Sequence, residues 1–92
     1  MTMQTYIIER DLPGVGGMSG DELCGASTKS NEALAKLAPA VQWVESFVAA
    51  DKTFCVYRAE GEEAIRRHAE ISGFPATKIT KVATKIDPTT GA

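Results

Sequence analysis

The chain has little of what most metal, nucleotide and nucleic-acid sites are built from. It holds one histidine, His68, and two cysteines, Cys24 and Cys55, far apart and forming no C-x-x-C pair. That excludes a zinc knuckle, a dithiol redox centre and a disulfide scaffold. Positive charge is not in excess: ten Lys and Arg against twelve Asp and Glu leave −2. Neither nucleic acid nor an anionic membrane surface is therefore expected as a partner. No run nears the ~18–20 apolar residues of a membrane span, and no basic stretch followed by an apolar one marks a secretory signal. The expectation is a cytoplasmic protein with both thiols reduced. The Gly14–Gly20 segment comes after a predicted strand, but it lacks both G-x-G-x-x-G spacing and the Gly-Lys-Ser/Thr of a P-loop. It reads as a mobile loop, and no nucleotide cofactor is expected.

The residues present suit a single small globular domain over residues 1–92, with 43% apolar and 24% charged residues. Tyr6-Ile7-Ile8 lies in a predicted strand over 3–12, and Pro13-Gly14 stops it. Ser19 and Glu22 have capping-box spacing, opening a helix predicted from about Gly20 to Ala38. Its stripe passes through Leu23, Ala26, Ser27, Ser30, Leu34 and Leu37, small enough in the middle to bring the helix close to a sheet. Strands are predicted over 41–49 and 53–59, joined by a short hairpin. A second helix is predicted from Glu60 to about Ser72, with acidic residues in its first turn and Gly73 and Pro75 beyond its end. A last strand is predicted over 79–86, before a polar tail at 87–92. The order β-α-β-β-α-β specifies an α+β, ferredoxin-like domain: a four-stranded antiparallel sheet with two helices on one face.

Strand alternation then sorts the side chains. The aliphatic sets, with Tyr6 and Ile8 in the first strand, Val44 and Val48 in the second, Phe54 and Val56 in the third, and Val82 and Ile86 in the last, are assigned to the helices. The other set, Ile7, Glu9, Trp43, Glu45, Phe47, Cys55 and Tyr57, is assigned to the open face. That face is too apolar for water, so the expected partner is a second copy packed sheet to sheet, a dimeric α+β barrel-like assembly with room for a small cavity.

Several residues on this scheme carry chemistry. His68 comes three residues after Ile65 and borders the buried stripe; it is either a ligand or base, or a hydrogen-bonded helix histidine. On this scheme it lies on the helical side, where it shares no ion with Glu9 of its own subunit. Glu9 and Glu45 are either a carboxylate pair for a divalent ion or solvated strand-end charges pairing with Lys81 and Lys85. Cys55 and Tyr57 read as ligands or acid–base groups, or as interface packing, and Trp43 as an interface anchor. Lys78, Lys81 and Lys85 place a basic stripe on an edge strand, a common guard against edge-to-edge pairing.

The runs Tyr6-Ile7-Ile8-Glu9-Arg10, Lys29-Ser30-Asn31, Val41-Gln42-Trp43-Val44, Asp51–Tyr57, His68-Ala69, Ser72–Ala76 and Ile86-Asp87-Pro88-Thr89 resemble a family of small uncharacterised bacterial ferredoxin-like proteins, some named nickel-binding protein. The likeness covers nearly the whole chain and departs from the family in the Gly-rich Pro13–Met18 loop and in the tail. It implies a ferredoxin-like homodimer that binds Ni2+ or a similar divalent ion. His68, Glu9 and Glu45 are the candidate metal ligands, in a buffering protein without catalysis. The alternative is a dimeric α+β barrel enzyme or carrier for an apolar small molecule between the two sheets, with Glu9 as general base and Tyr57 as hydrogen-bond donor. A third reading is an interaction module whose open face docks another protein.

Overall fold

Local signals set the element boundaries. The computed structural model describes residues 2–91. Strand β1 runs Gln4–Asp11, helix α1 Gly20–Leu37, β2 Val41–Val48, β3 Lys52–Ala59, α2 Glu62–Ser72 and β4 Lys78–Lys81. Ser19 caps α1: its hydroxyl accepts from the Glu22 N–H at 3.1 Å, and the Ser19 N–H donates to the Glu22 carboxylate at 3.0 Å. Gly73 ends α2 at φ 80°, the left-handed conformation that a side chain would disfavour. Arg66 reaches back to Glu62 at 2.9 Å on the outer face of α2.

The sheet order is β2-β3-β1-β4, and every neighbouring pair is antiparallel. Both helices pack on one face, over Tyr6, Ile8, Val41, Cys55, Tyr57 and Ala59, with Ile65 of α2 closing the core. This is the βαββαβ fold expected from the element order.

Three sequence expectations need correction. The last strand pairs only as far as Lys81; beyond it comes one more bond, Val82 N–H to Thr5 carbonyl at 2.9 Å, and Ile86 stands 73% exposed. Its phase is also the reverse of that expected, since Ile79 sits opposite Ile8 and packs on the core. The glycine-rich loop is not a free loop. Residues Val15–Gly17 form one 3-10 turn, with Val15 buried, tied to the β2–β3 hairpin. The Leu12 and Gly16 N–H groups donate to the Asp51 and Ala50 carbonyls, and the Gly14 N–H to the Asp51 carboxylate, all at 2.9 Å. Gly16 lies so close that a Cβ there would meet the Ala49 carbonyl oxygen at 2.7 Å, so the absent side chain permits the contact.

The third correction concerns faces. In β3, Thr53, Cys55, Tyr57 and Ala59 are buried beneath the helices, and Phe54, Val56 and Arg58 face the open side. Every position of Phe54–Tyr57 suits a buried strand, so alternation alone does not choose the phase. In β2, a bulge between Trp43 and Glu45 puts one extra residue, Val44, out of register. It turns Trp43 toward the helices while leaving Glu45 and Phe47 on the open side, because a residue inserted into a strand reverses the facing of every residue after it.

Candidate ligand-binding site

The sheet's covered face is not completely filled. A cavity of about 320 Å³ lies between the first half of α1 and strands β2, β3 and β1. It exists because α1 presents Ala26, Ser27 and Ser30 there. These side chains are small, and they leave room between the helix and the sheet. Val15 of the 3-10 turn and Met18 just after it also line the space, and Trp43 and Val48 form the β2 wall. The volume is at the small end of the ~300–1,000 Å³ typical of ligand pockets, and the mainly apolar wall with a few polar groups is also typical.

Those polar groups are specific. Arg10 is 3% exposed, on the buried face of β1 in phase with Tyr6 and Ile8. Its guanidinium donates to the carbonyls of Phe74 and Pro75, each at 3.1 Å, and points to the Tyr57 hydroxyl at 3.5 Å. It also stands 5.7 Å from the centre of the Tyr57 ring. Among the described residues, no carboxylate forms an ion pair with it. Burial pushes the Tyr57 phenol above its ordinary value, against the opposing pull of Arg10 and a hydrogen bond to Ser30. The phenol therefore keeps its proton. Thr53 Oγ1 and Cys55 Sγ, 3.4 Å apart, complete the floor.

His68 lies behind this floor, fully buried, with its ring 5.4 Å from that of Tyr57. Its Nε2 sits 3.1 Å from the Ser30 hydroxyl and 3.3 Å from the Ser30 carbonyl. A carbonyl oxygen only accepts, which assigns the proton to Nε2. Nδ1 then holds a lone pair with no hydrogen-bond partner among the described residues. Burial, and next the charge of Arg10, hold the imidazole below its ordinary value, with the Ser30 carbonyl opposing.

The expected metal set does not assemble within one subunit. His68 is beneath the helices, while Glu9 and Glu45 face the open side, as their strand register requires. Those two carboxylates are themselves apart, because β3 separates β1 from β2 and adjacent strands lie ~4.8 Å apart. Glu9 instead meets Lys52 at 3.4 Å. Among the described residues, no three His, Cys, Asp or Glu side chains converge. The catalytic alternative fails on the same ground: Glu9 and Tyr57 are on opposite sides of the sheet and share no substrate. Of the seven residues assigned to the open face, Ile7, Glu9, Glu45 and Phe47 are there. Trp43, Cys55 and Tyr57 are under the helices.

Comparison with known proteins places this architecture. A family described as nickel responsive protein SCO4226-like matches residues 6–82. The chain belongs to the SCO4226-like family. Among solved structures, SCO4226 from Streptomyces coelicolor A3(2) is similar, with a TM-score of 0.74 and 19% identity, covering 89% of this chain and 99% of that one. At that identity the likeness establishes the shared fold. Among curated proteins none matches. No helix of the described residues is long and apolar enough to cross a membrane.

In this SCO4226-like chain, Arg10 is the one charged residue of the cavity among the described residues, and it is not among the site residues expected from the sequence. A signal for it was present: an arginine two and four residues after Ile8 and Tyr6, on the side of the strand that those residues bury. A second signal concerned β3, where Lys52 and Arg58 share a face with Phe54 and Val56 and mark it as the solvent side.

Proposed function

We propose that the protein is a non-enzymatic, cytoplasmic, homodimeric member of its family that binds a divalent metal such as nickel for buffering, and engages neither nucleic acid nor membrane. The observation that carries this reading is the nickel-responsive family match across residues 6–82. The dimer draws support from the open face, which keeps its apolar character with a changed cast. Phe47 is 60% and Phe54 36% exposed, side by side in one register row, with Ile7 and Val56 in the next. Under two-fold symmetry, residue i of one copy meets residue j of the other. The open-face carboxylates Glu9 and Glu45 are then the donors to expect from two copies, with water completing an octahedral oxygen shell, a set that accepts divalent ions generally and does not select nickel. His68, buried on the other side, is not one of them. Calorimetric titration of untagged protein with nickel chloride, with light scattering for mass, tests both parts. The expected results are binding tighter than millimolar, its loss in the Glu9→Gln/Glu45→Gln double variant and its retention in His68→Ala. A mass twice the 9.8 kDa chain should fall to one chain in Phe47→Ser/Phe54→Ser. Absence of binding, or binding indifferent to both carboxylates, overturns the metal reading; a wild-type monomer overturns the dimer.

A second reading is favoured by the cavity itself: a carrier for an apolar small molecule, seated beneath α1 rather than between two sheets. Trp43 is the single tryptophan of the chain and lines that space. Titration with octanol, monitored by Trp43 emission, is expected to show a saturable change, and a linear, non-saturating response would refute the reading.

A further inference from the structure

The cavity's polar groups narrow the chemistry of its occupant, an inference that rests on the carrier reading. Arg10 is a guanidinium removed from water, and among the described residues it has no carboxylate partner. A buried charge without a counter-charge is costly, and the cost falls when an anion is supplied. Guanidinium has five N–H donors in a planar fork. Two short bonds to Phe74 and Pro75 and one long approach to Tyr57 do not engage them all. Arg10 and Tyr57 both line the cavity, and the Tyr57 hydroxyl stands 3.5 Å from the guanidinium.

The rest of the lining sets the other half of the ligand. Among the described residues, no lysine, aspartate, glutamate or second arginine lines the cavity. A single positive charge matches a monoanion, whereas a phosphate dianion would remain half neutralised. A carboxylate suits the fork geometry of guanidinium, which binds it through two parallel bonds. Leu23, Ala26, Trp43 and Val48 give the cavity mainly apolar walls, and Ser27, Ser46 and Thr53 add isolated hydroxyls with no charge, which suits an apolar body better than a zwitterionic one.

We propose that the cavity beneath α1 binds a small monocarboxylate with an apolar body, its carboxylate held by Arg10 and the Tyr57 hydroxyl and its body packed against Leu23, Ala26, Trp43 and Val48. The thiol of Cys55 and the hydroxyl of Thr53 lie on the floor between these two ends.

The test uses the full chain with 8-bromooctanoate, whose heavy atom quenches an indole it touches, and with octanoate and octanol as competitors. Quenching of Trp43 is expected to saturate. Octanoate is expected to displace the probe at a concentration at least tenfold below that of octanol. Arg10→Lys keeps the charge and loses the fork, so octanoate should weaken about tenfold in it while octanol is unchanged. Ala26→Phe fills the cavity and should abolish quenching with a cooperative melt retained. Equal affinity of octanoate and octanol for the wild-type protein would overturn the carboxylate assignment and leave the carrier reading standing. Absence of saturable binding by either would overturn both. Undiminished quenching in a folded Ala26→Phe variant would overturn the location.

Discussion

Replacement of Arg10 by methionine is expected to lower the unfolding free energy by about 3 kcal/mol, measured by urea denaturation at pH 7. Hydrogen bonds to a charged group are worth about 1.5–3 kcal/mol each, and Arg10 makes two at 3.1 Å to the turn after α2. Their sum is an upper bound. Removing the guanidinium also removes its desolvation cost, and the partly buried carbonyls of Phe74 and Pro75 regain some water. The loss nonetheless falls on a long-range tie, since β1 and the 74–75 turn are separated by more than sixty positions and Arg10 is their side-chain link. Arg10→Lys, with one ammonium in place of a fork, should lose about half as much. A loss below about 1 kcal/mol in Arg10→Met would show that the turn is held by other contacts.

His68→Ala is expected to cost about 3 kcal/mol at pH 8, within the range for deleting a large buried side chain, and to change how stability responds to acid. The wild-type imidazole is neutral in the folded state. Protonation would place a second N–H on Nδ1, which has no acceptor within reach, beside the Arg10 charge and in a buried site. Its folded pKa therefore lies below the unfolded value of ~6.5. Between the two values the unfolded chain binds more protons than the folded one, so stability falls as pH falls. Above ~6.5 both states are neutral and stability is flat with respect to this group. His68 is the only histidine, so the decline just below ~6.5 belongs to it, ahead of the carboxylates. In His68→Ala that decline should vanish, and the gap between variant and wild type should narrow from pH 7 to pH 5. A gap of constant size would refute the buried neutral imidazole. A drop in nickel affinity in the same variant, unaccompanied by unfolding, would return His68 to the metal site.

Both variants act on the helix-covered face of the sheet. Arg10 and His68 belong to one buried network through Tyr57 and Ser30, so their effects on stability should be less than additive. Substitutions at Phe47 and Phe54 act on the opposite face, and their effect should appear in assembly rather than in this network.

The fold was legible from the chain because its signals are local. Ser19 and Glu22 cap a helix wherever it packs, Gly73 ends one by its own backbone freedom, and the hairpin between Val48 and Lys52 needs only neighbours in sequence. The order of strands and helices came from these stops. The phases of β1 and of the second half of β2 were also readable, since Tyr6 and Ile8 are apolar where Glu9 and Asp11 are charged, and Glu45 marks the solvent side.

The site was decided by tertiary structure. In β3 four consecutive residues are all compatible with burial, so which pair faces the helices depends on how two helices and three strands share volume. In β2 one bulged residue at Val44 reversed Trp43, and a bulge depends on the twist of the paired strands, not on the composition of one. The cavity needs the small residues of α1 and the walls of β1, β2 and β3 together, which no single segment encodes. Both helices and the first three strands followed from short-range hydrogen bonding and backbone preference, whereas the turn at Val15–Gly17 and the short last strand did not. Which side of each strand meets the helices, and therefore that Arg10, Tyr57 and Trp43 share one space while Glu9 and Glu45 stand outside it, was settled by packing among segments distant in sequence.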